Sequence, residues 1–118
     1  MDTPLFDGEL VHARPSAFAK SNLVHLQEAG QLQARSPHAS TRQGLASYLF
    51  FVVESGSGTL EYEGETRVLS AGDCVFLDCR RPYRHYTGDD LWQLRWAHFY
   101  GPNMAAIYKK YRERGGQP

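Results

Sequence analysis

Six consecutive apolar residues, Tyr48-Leu49-Phe50-Phe51-Val52-Val53, stand near the middle of a chain of 118 residues. Aromatic and β-branched side chains suit an extended backbone, and an unbroken apolar run suits a strand covered on both faces. This segment is therefore expected at the centre of the core. Gly56-Ser57-Gly58 ends it. Thr59-Leu60-Glu61-Tyr62-Glu63 then alternates apolar with acidic residues, the pattern of a half-buried strand, and Gly64 supplies a hairpin turn. Residues 66–69 form the return strand, Ser70-Ala71-Gly72-Asp73 turns the chain again, and Cys74-Val75-Phe76-Leu77 is a further apolar strand.

The flanks carry weaker signals. Residues 1–21, with Pro4, Pro15 and no periodicity, read as an arm that needs a partner surface to become ordered. Leu23-Val24-His25-Leu26 reads as a strand, Ala29-Gly30 as a turn, the surroundings of Leu32 as a weaker strand, and residues 37–44 as a polar connection. Residues 91–100 make the last long strand, with Trp92, Leu94, Trp96 and His98 on one face and Gln93, Arg95, Ala97 and Phe99 on the other. A helix is expected from Pro102, carrying Met104, Ile107, Tyr108 and Tyr111 at helical spacing and stopped by Gly115-Gly116. Many short strands, glycine turns and one closing helix predict an all-β sandwich or small barrel. The expected organisation is an arm over residues 1–21, a barrel over 22–101 and a helix over 102–118. No internal repeat interrupts this scheme.

Composition narrows the function classes. A mass of 13.4 kDa allows one core, not two. Thirteen Lys and Arg balance thirteen Asp and Glu, which argues against a surface that grips a phosphate backbone. The clusters Arg80, Arg81, Arg84 and Lys109, Lys110, Arg112, Arg114 read as solvated surface. Cys74 and Cys79 fit neither a redox Cys-x-x-Cys nor a zinc knuckle, so free thiols of a cytoplasmic protein are expected. Acidic residues at the start exclude a signal peptide, and no apolar run is long enough for a bilayer. No membrane partner is expected.

Gly56-x-Gly58-x-Leu60, Gly64, Leu69-Ser70-Ala71-Gly72-Asp73, Pro82 and Trp96-Ala97-His98-Phe99-Tyr100-Gly101-Pro102 together carry a resemblance. Over residues 42–110 the chain resembles the N-terminal effector-binding domain of AraC-type transcriptional regulators. The resemblance implies a cupin-like β-barrel, a double-stranded β-helix or jelly roll, with one C-terminal α-helix. It implies a small-molecule effector, often a sugar, and a signal passed to a helix-turn-helix DNA-binding domain. No recognition helices follow Gln117, so the chain is expected to be an excised regulatory domain that meets DNA only through a C-terminal domain absent from it. A homodimer is a further expectation, although in that family the pairing helices usually follow this region, so that a chain ending near Pro118 is expected to lack much of the dimer contact.

The same resemblance points to site residues. It places Trp96 on the barrel lining, with His98 on the same strand face, and Arg42 where effector-contacting arginines sit in sugar-sensing relatives. A tryptophan offers a flat face for stacking, and a guanidinium offers five donors in a fixed fork. Where relatives have Pro-His-x-Tyr, this chain has Pro82-Tyr83-Arg84-His85; the two polar rings still share one strand face. A core role for Trp96, a surface role for Arg42 and a structural role for His85 stand beside the binding reading. The arm, through Pro4 to Phe6, is implied as a lid.

Cupin enzymes typically hold a metal with His-x-His and a Glu on an early strand pair and a later His. Here the early strand reads Phe50-Phe51-Val52-Val53-Glu54, and no histidine stands between Ala39 and Tyr83. A transition-metal site needs three or more ligands together, so no metal, no cofactor and no enzymatic activity are expected. A metal-dependent cupin enzyme and a dimerisation-only module are the alternatives. No catalytic triad can be assembled from the spacing, and Asp89-Asp90 read as solvated loop.

Overall fold

The computed structural model describes residues 6–35, 38–42 and 44–116, and the side chains of residues 10–35 and 44–116. Nine strands and two helices follow one another as β1 (Phe6–His12), α1 (Ala17–Asn22), β2 (His25–Ala34), β3 (His38–Arg42), β4 (Tyr48–Ser55), β5 (Ser57–Tyr62), β6 (Glu65–Ser70), β7 (Cys74–Asp78), β8 (Tyr83–Thr87), β9 (Gln93–Tyr100) and α2 (Met104–Glu113). They form two antiparallel sheets, ordered β1-β2-β9-β4-β7 and β3-β8-β5-β6. The all-β expectation with a closing helix holds.

The sheets bury their facing sides against each other. Leu49, Phe51 and Val53 of β4, Leu60 and Tyr62 of β5, Leu69 of β6, Val75 and Leu77 of β7, Tyr83 of β8 and Leu94 of β9 form this core with Trp92 and Cys79. Each strand contributes alternate residues, as the pleat requires. The β5–β6 turn is the two-residue loop Glu63-Gly64, with φ of 51° and 79°. Positive φ at both positions matches the right-handed twist of the flanking strands. Gly58 answers a different need: a Cβ there would collide with the Trp92 ring and come within 2.6 Å of the Tyr86 carbonyl oxygen.

Several expectations are corrected. Residues 6–12, expected within an arm, form β1 along the edge of β2, and residues 17–22 form α1, capped by the Ser16 side chain. No turn divides residues 29–30: β2 is one strand whose irregularity is a bulge between Leu26 and Glu28. The polar connection contains β3, which pairs with β8 along its whole length. β4 is central, between β9 and β7, but its outer face is covered only in part: Tyr48 is buried while Phe50 is 43% exposed. The reason is the length of α2, which at ten residues covers only one end of the sheet's outer face.

There Tyr48, Met104 and Tyr108 are buried with Phe76, Phe99, Tyr100 and Tyr111 against them. Ile107, expected in this stripe, is 46% exposed because it lies at the margin of the arc set by Met104, Tyr108 and Tyr111. Asp78 anchors the joint between this cluster and the barrel. Arg80 donates to its carboxylate from Nε at 3.1 Å and Nη2 at 2.9 Å, and from Nη2 to the Tyr48 hydroxyl at 3.0 Å. Burial pushes the Asp78 carboxyl up, yet the hydrogen bonds and charge of Arg80 outweigh it and hold the group below its ordinary value. Arg81 and Arg84 pair with Glu63 and Glu61, and Lys110 with Glu113, at exposed positions. Neither cysteine is part of a disulfide. Among the described residues no helix is long and apolar enough to cross a membrane.

Candidate functional site

Two strands from opposite sheets bring polar rings to the barrel interior. On β8 the inward register carries Tyr83, His85 and Thr87; on β9 it carries Leu94, Trp96 and His98. The His85 ring lies 5.6 Å from Phe51, 5.8 Å from Trp92 and 6.1 Å from Tyr83, nearly parallel to the last at 17°. Trp96 meets His98 edge-on at 5.5 Å. Phe51 is registered with Trp96 across β4 and β9, so this one ring bridges the His85 group and the Trp96–His98 group.

His98 is held from the side. Its Nδ1 lies 2.9 Å from Ser47 Oγ and 4.0 Å from Cys79 Sγ. Ser47 and Cys79 are both buried, and a backbone bond from Cys79 N–H to the Ser47 carbonyl, 3.0 Å, fixes their spacing. Neither residue stands out in the sequence, because each precedes or follows a strand and reaches His98 only through the β4–β9 register. Trp92, expected on the same face as Trp96, is the more deeply buried of the two. It is fully buried, and its Nε1–H finds no hydrogen-bond partner among the described residues.

Four of the five expected residues, Tyr83, His85, Trp96 and His98, thus share the interior. For Arg42 the structure gives the backbone: its Cα is registered with Tyr83 across β3 and β8. The Arg42 side chain and, of the expected lid, Pro4 and Leu5 lie outside the described residues, whereas the Phe6 backbone begins β1 opposite Ala34. The interior combines flat aromatic faces with imidazole, hydroxyl and thiol groups that donate and accept hydrogen bonds, the mixture that binds small polar molecules. Among the described residues no three His, Cys, Asp or Glu side chains come together as a metal site.

A cleft of about 890 Å³ lies elsewhere, beside the β5–β6 turn, lined by Glu61, Glu63, Thr66, Arg81, Arg84 and Tyr83 among others. Its charges are already matched, Arg81 with Glu63 at 3.1 Å and Arg84 with Glu61 at 3.6 Å. Of the four interior residues only Tyr83 reaches it. An open cleft with satisfied charges excludes water poorly and offers few unused donors, so the interior is the better candidate.

Comparison with known proteins agrees with this geometry. The sequence matches the family described as Cupin domain over residues 23–100. A search of curated proteins finds no match. Among solved structures, the cupin domain of Cnp3 from Schizosaccharomyces pombe is similar at a TM-score of 0.65 and 9% identity, over 98% of this chain and 75% of that one. The cupin domain of an XRE-family transcriptional regulator from Enterobacter cloacae is similar at 0.61 and 13%, over 84% and 99%. A candidate mannose-6-phosphate isomerase from Ralstonia eutropha is similar at 0.59 and 17%, over 81% and 85%. The shared fold therefore serves a regulator domain and an isomerase candidate alike.

Proposed function

We propose, for a chain that belongs to the cupin domain family, that its barrel is the effector-sensing domain of an AraC-type transcriptional regulator. It binds a small polar molecule in the barrel interior, a sugar being the first class to test, with no metal and no catalytic step. The observation that carries this reading is that Tyr83 and His85 from one sheet and Trp96 and His98 from the other all stand on the inward register. Trp96 supplies the stacking face, His85 and Tyr83 the hydrogen bonds from β8, His98 those from β9, and Arg42 a charged fork from β3. The Trp96-to-Pro102 motif supports the AraC-type assignment, and the regulator domain from Enterobacter cloacae supports a sensing role for this fold. In this reading the protein acts in the cytoplasm, DNA is bound by a separate C-terminal domain, and the regulator works as a homodimer.

A thermal-shift screen of sugars and other small polar metabolites tests it. A ligand at one hundred times its dissociation constant adds about 2.7 kcal/mol to stability. For a confirmed ligand, Arg42→Ala is expected to weaken binding by about 1.5–3 kcal/mol, the range for hydrogen bonds to a charged group. Calorimetry showing unchanged affinity in that variant would remove Arg42 from the site. A screen without a single hit would remove the sensing role.

A further inference from the structure

The interior core and the outer cluster beneath α2 are two separate bodies of apolar side chains, and a pair of buried tyrosines joins them. Tyr62 belongs to the interior and Tyr108 to the helix, and their hydroxyls lie 3.3 Å apart. The Tyr62 hydroxyl lies 3.2 Å from the Asp78 carbonyl oxygen and accepts from the Asp78 N–H at 3.3 Å. Its single proton can serve the Asp78 carbonyl or the Tyr108 hydroxyl, and either hydroxyl can be the donor in the pair. Tyr108 in turn accepts from Arg112 Nη1 at 3.4 Å, and Arg112 reaches Glu63, the neighbour of Tyr62 in the chain, at 3.5 Å. The circuit closes on itself: β5, β7, the hairpin turn and α2 are held by one connected set of bonds.

On the interior side Tyr62 is registered with Tyr83 across β5 and β8, and Tyr83 stacks on His85. Directly opposite residues of an antiparallel pair move together, because their backbone ladder fixes their separation. Apolar contacts tolerate small slips, whereas a hydrogen bond in a buried, fully used network weakens steeply as its distance and angle change. A displacement at His85 or Tyr83 therefore reaches Tyr62, and at Tyr62 the most directional link to the helix is the Tyr108 hydroxyl.

We infer that the Tyr62–Tyr108 hydroxyl pair couples the state of the barrel interior at Tyr83 and His85 to the docking of α2. A change on the inner face then alters how tightly the helix is held. The inference rests on the sensing role for its biological use, but its test needs no effector, so an empty ligand screen and a failed coupling are separate outcomes.

The experiment is amide hydrogen exchange over residues 104–113 of the whole chain, in the wild type, His85→Ala, Tyr108→Phe and the double variant. Tyr108→Phe keeps the ring among Tyr48, Phe76 and Tyr111 and removes only the hydroxyl. It is expected to lower α2 protection about two- to tenfold, the fold-change for one net hydrogen bond, while β6 amides keep theirs. His85→Ala is expected to change α2 protection in the wild-type background and to lose most of that effect in the Tyr108→Phe background. Tyr83→Phe serves as the interior change if His85→Ala does not fold. An α2 that ignores both interior changes overturns the coupling. So does an effect of the same size with and without the Tyr108 hydroxyl, because the signal then travels by another route.

Discussion

Trp92 and Trp96 stand on the same inward register, yet they carry different burdens. Trp92 is fully buried, packed edge-on against Phe51 at 6.1 Å and against the Cβ-less backbone of Gly58. Trp96 is only partly buried and faces His98. Trp92→Ala is expected to cost about 3–5 kcal/mol of stability, because it empties a large core volume that surrounding strands cannot close. Trp96→Ala is expected to cost less and to act chiefly on ligand affinity. Urea unfolding of the two variants decides this, and equal losses would make Trp96 a packing residue. The period-two pattern of the last strand was enough to put both tryptophans on one face. It could not rank them, since the ranking depends on Gly58, a residue of the opposite sheet.

Strands that bury aromatic and aliphatic side chains were legible as strands: β4, β5, β7 and β9 follow the apolar pattern read from the chain. β1 and β3 were not, and β2 was read as two strands broken by a turn. Gln27, Glu28, Gln31 and Gln33 give β2 a polar look, and Ala29-Gly30 resembles a turn although Gly30 lies opposite Trp96 in mid-strand. β3 is His38-Ala39-Ser40-Thr41-Arg42, held as an edge strand by its backbone ladder to β8, and no side-chain pattern announces such a ladder. The joint at the end of β7 was equally silent, because Asp78 and Arg80 read as ordinary surface charges. In the fold the Asp78 carboxyl is depressed below its unfolded value, so its contribution is present above the ordinary carboxylate range and is lost as pH falls through the folded pKa. Asp78→Asn is therefore expected to be less stable than the wild type at pH 7, with the gap closing under acid. Denaturation across a pH series reads this directly, and a gap independent of pH would assign the loss to packing instead.

The molecule as a whole is a balanced charge distribution wrapped around a small interior, with ligand-like groups inside and paired ions outside. Elemental analysis of the purified protein is expected to find no stoichiometric zinc, iron, manganese or nickel, since the donor set for them does not assemble among the described residues. One metal per chain, lost on chelation together with stability, would contradict that and revive the enzymatic alternative. The cupin-like barrel was readable, through the resemblance carried by turn glycines and the Trp96-to-Pro102 motif; the link from Tyr62 to α2 was not, because it joins residues that meet only after both sheets have closed. That order of events has a consequence during synthesis. β9, the last strand of this barrel in chain order, belongs between β2 and β4, where His25 pairs with Tyr100 and Tyr48 with Phe99. Until it emerges, both of those strands wait with an unpaired edge toward the gap, and the barrel is most open to wrong partners in that interval. A topology that inserts its last strand centrally folds as a late, single closure, at the slow pace of distant pairings.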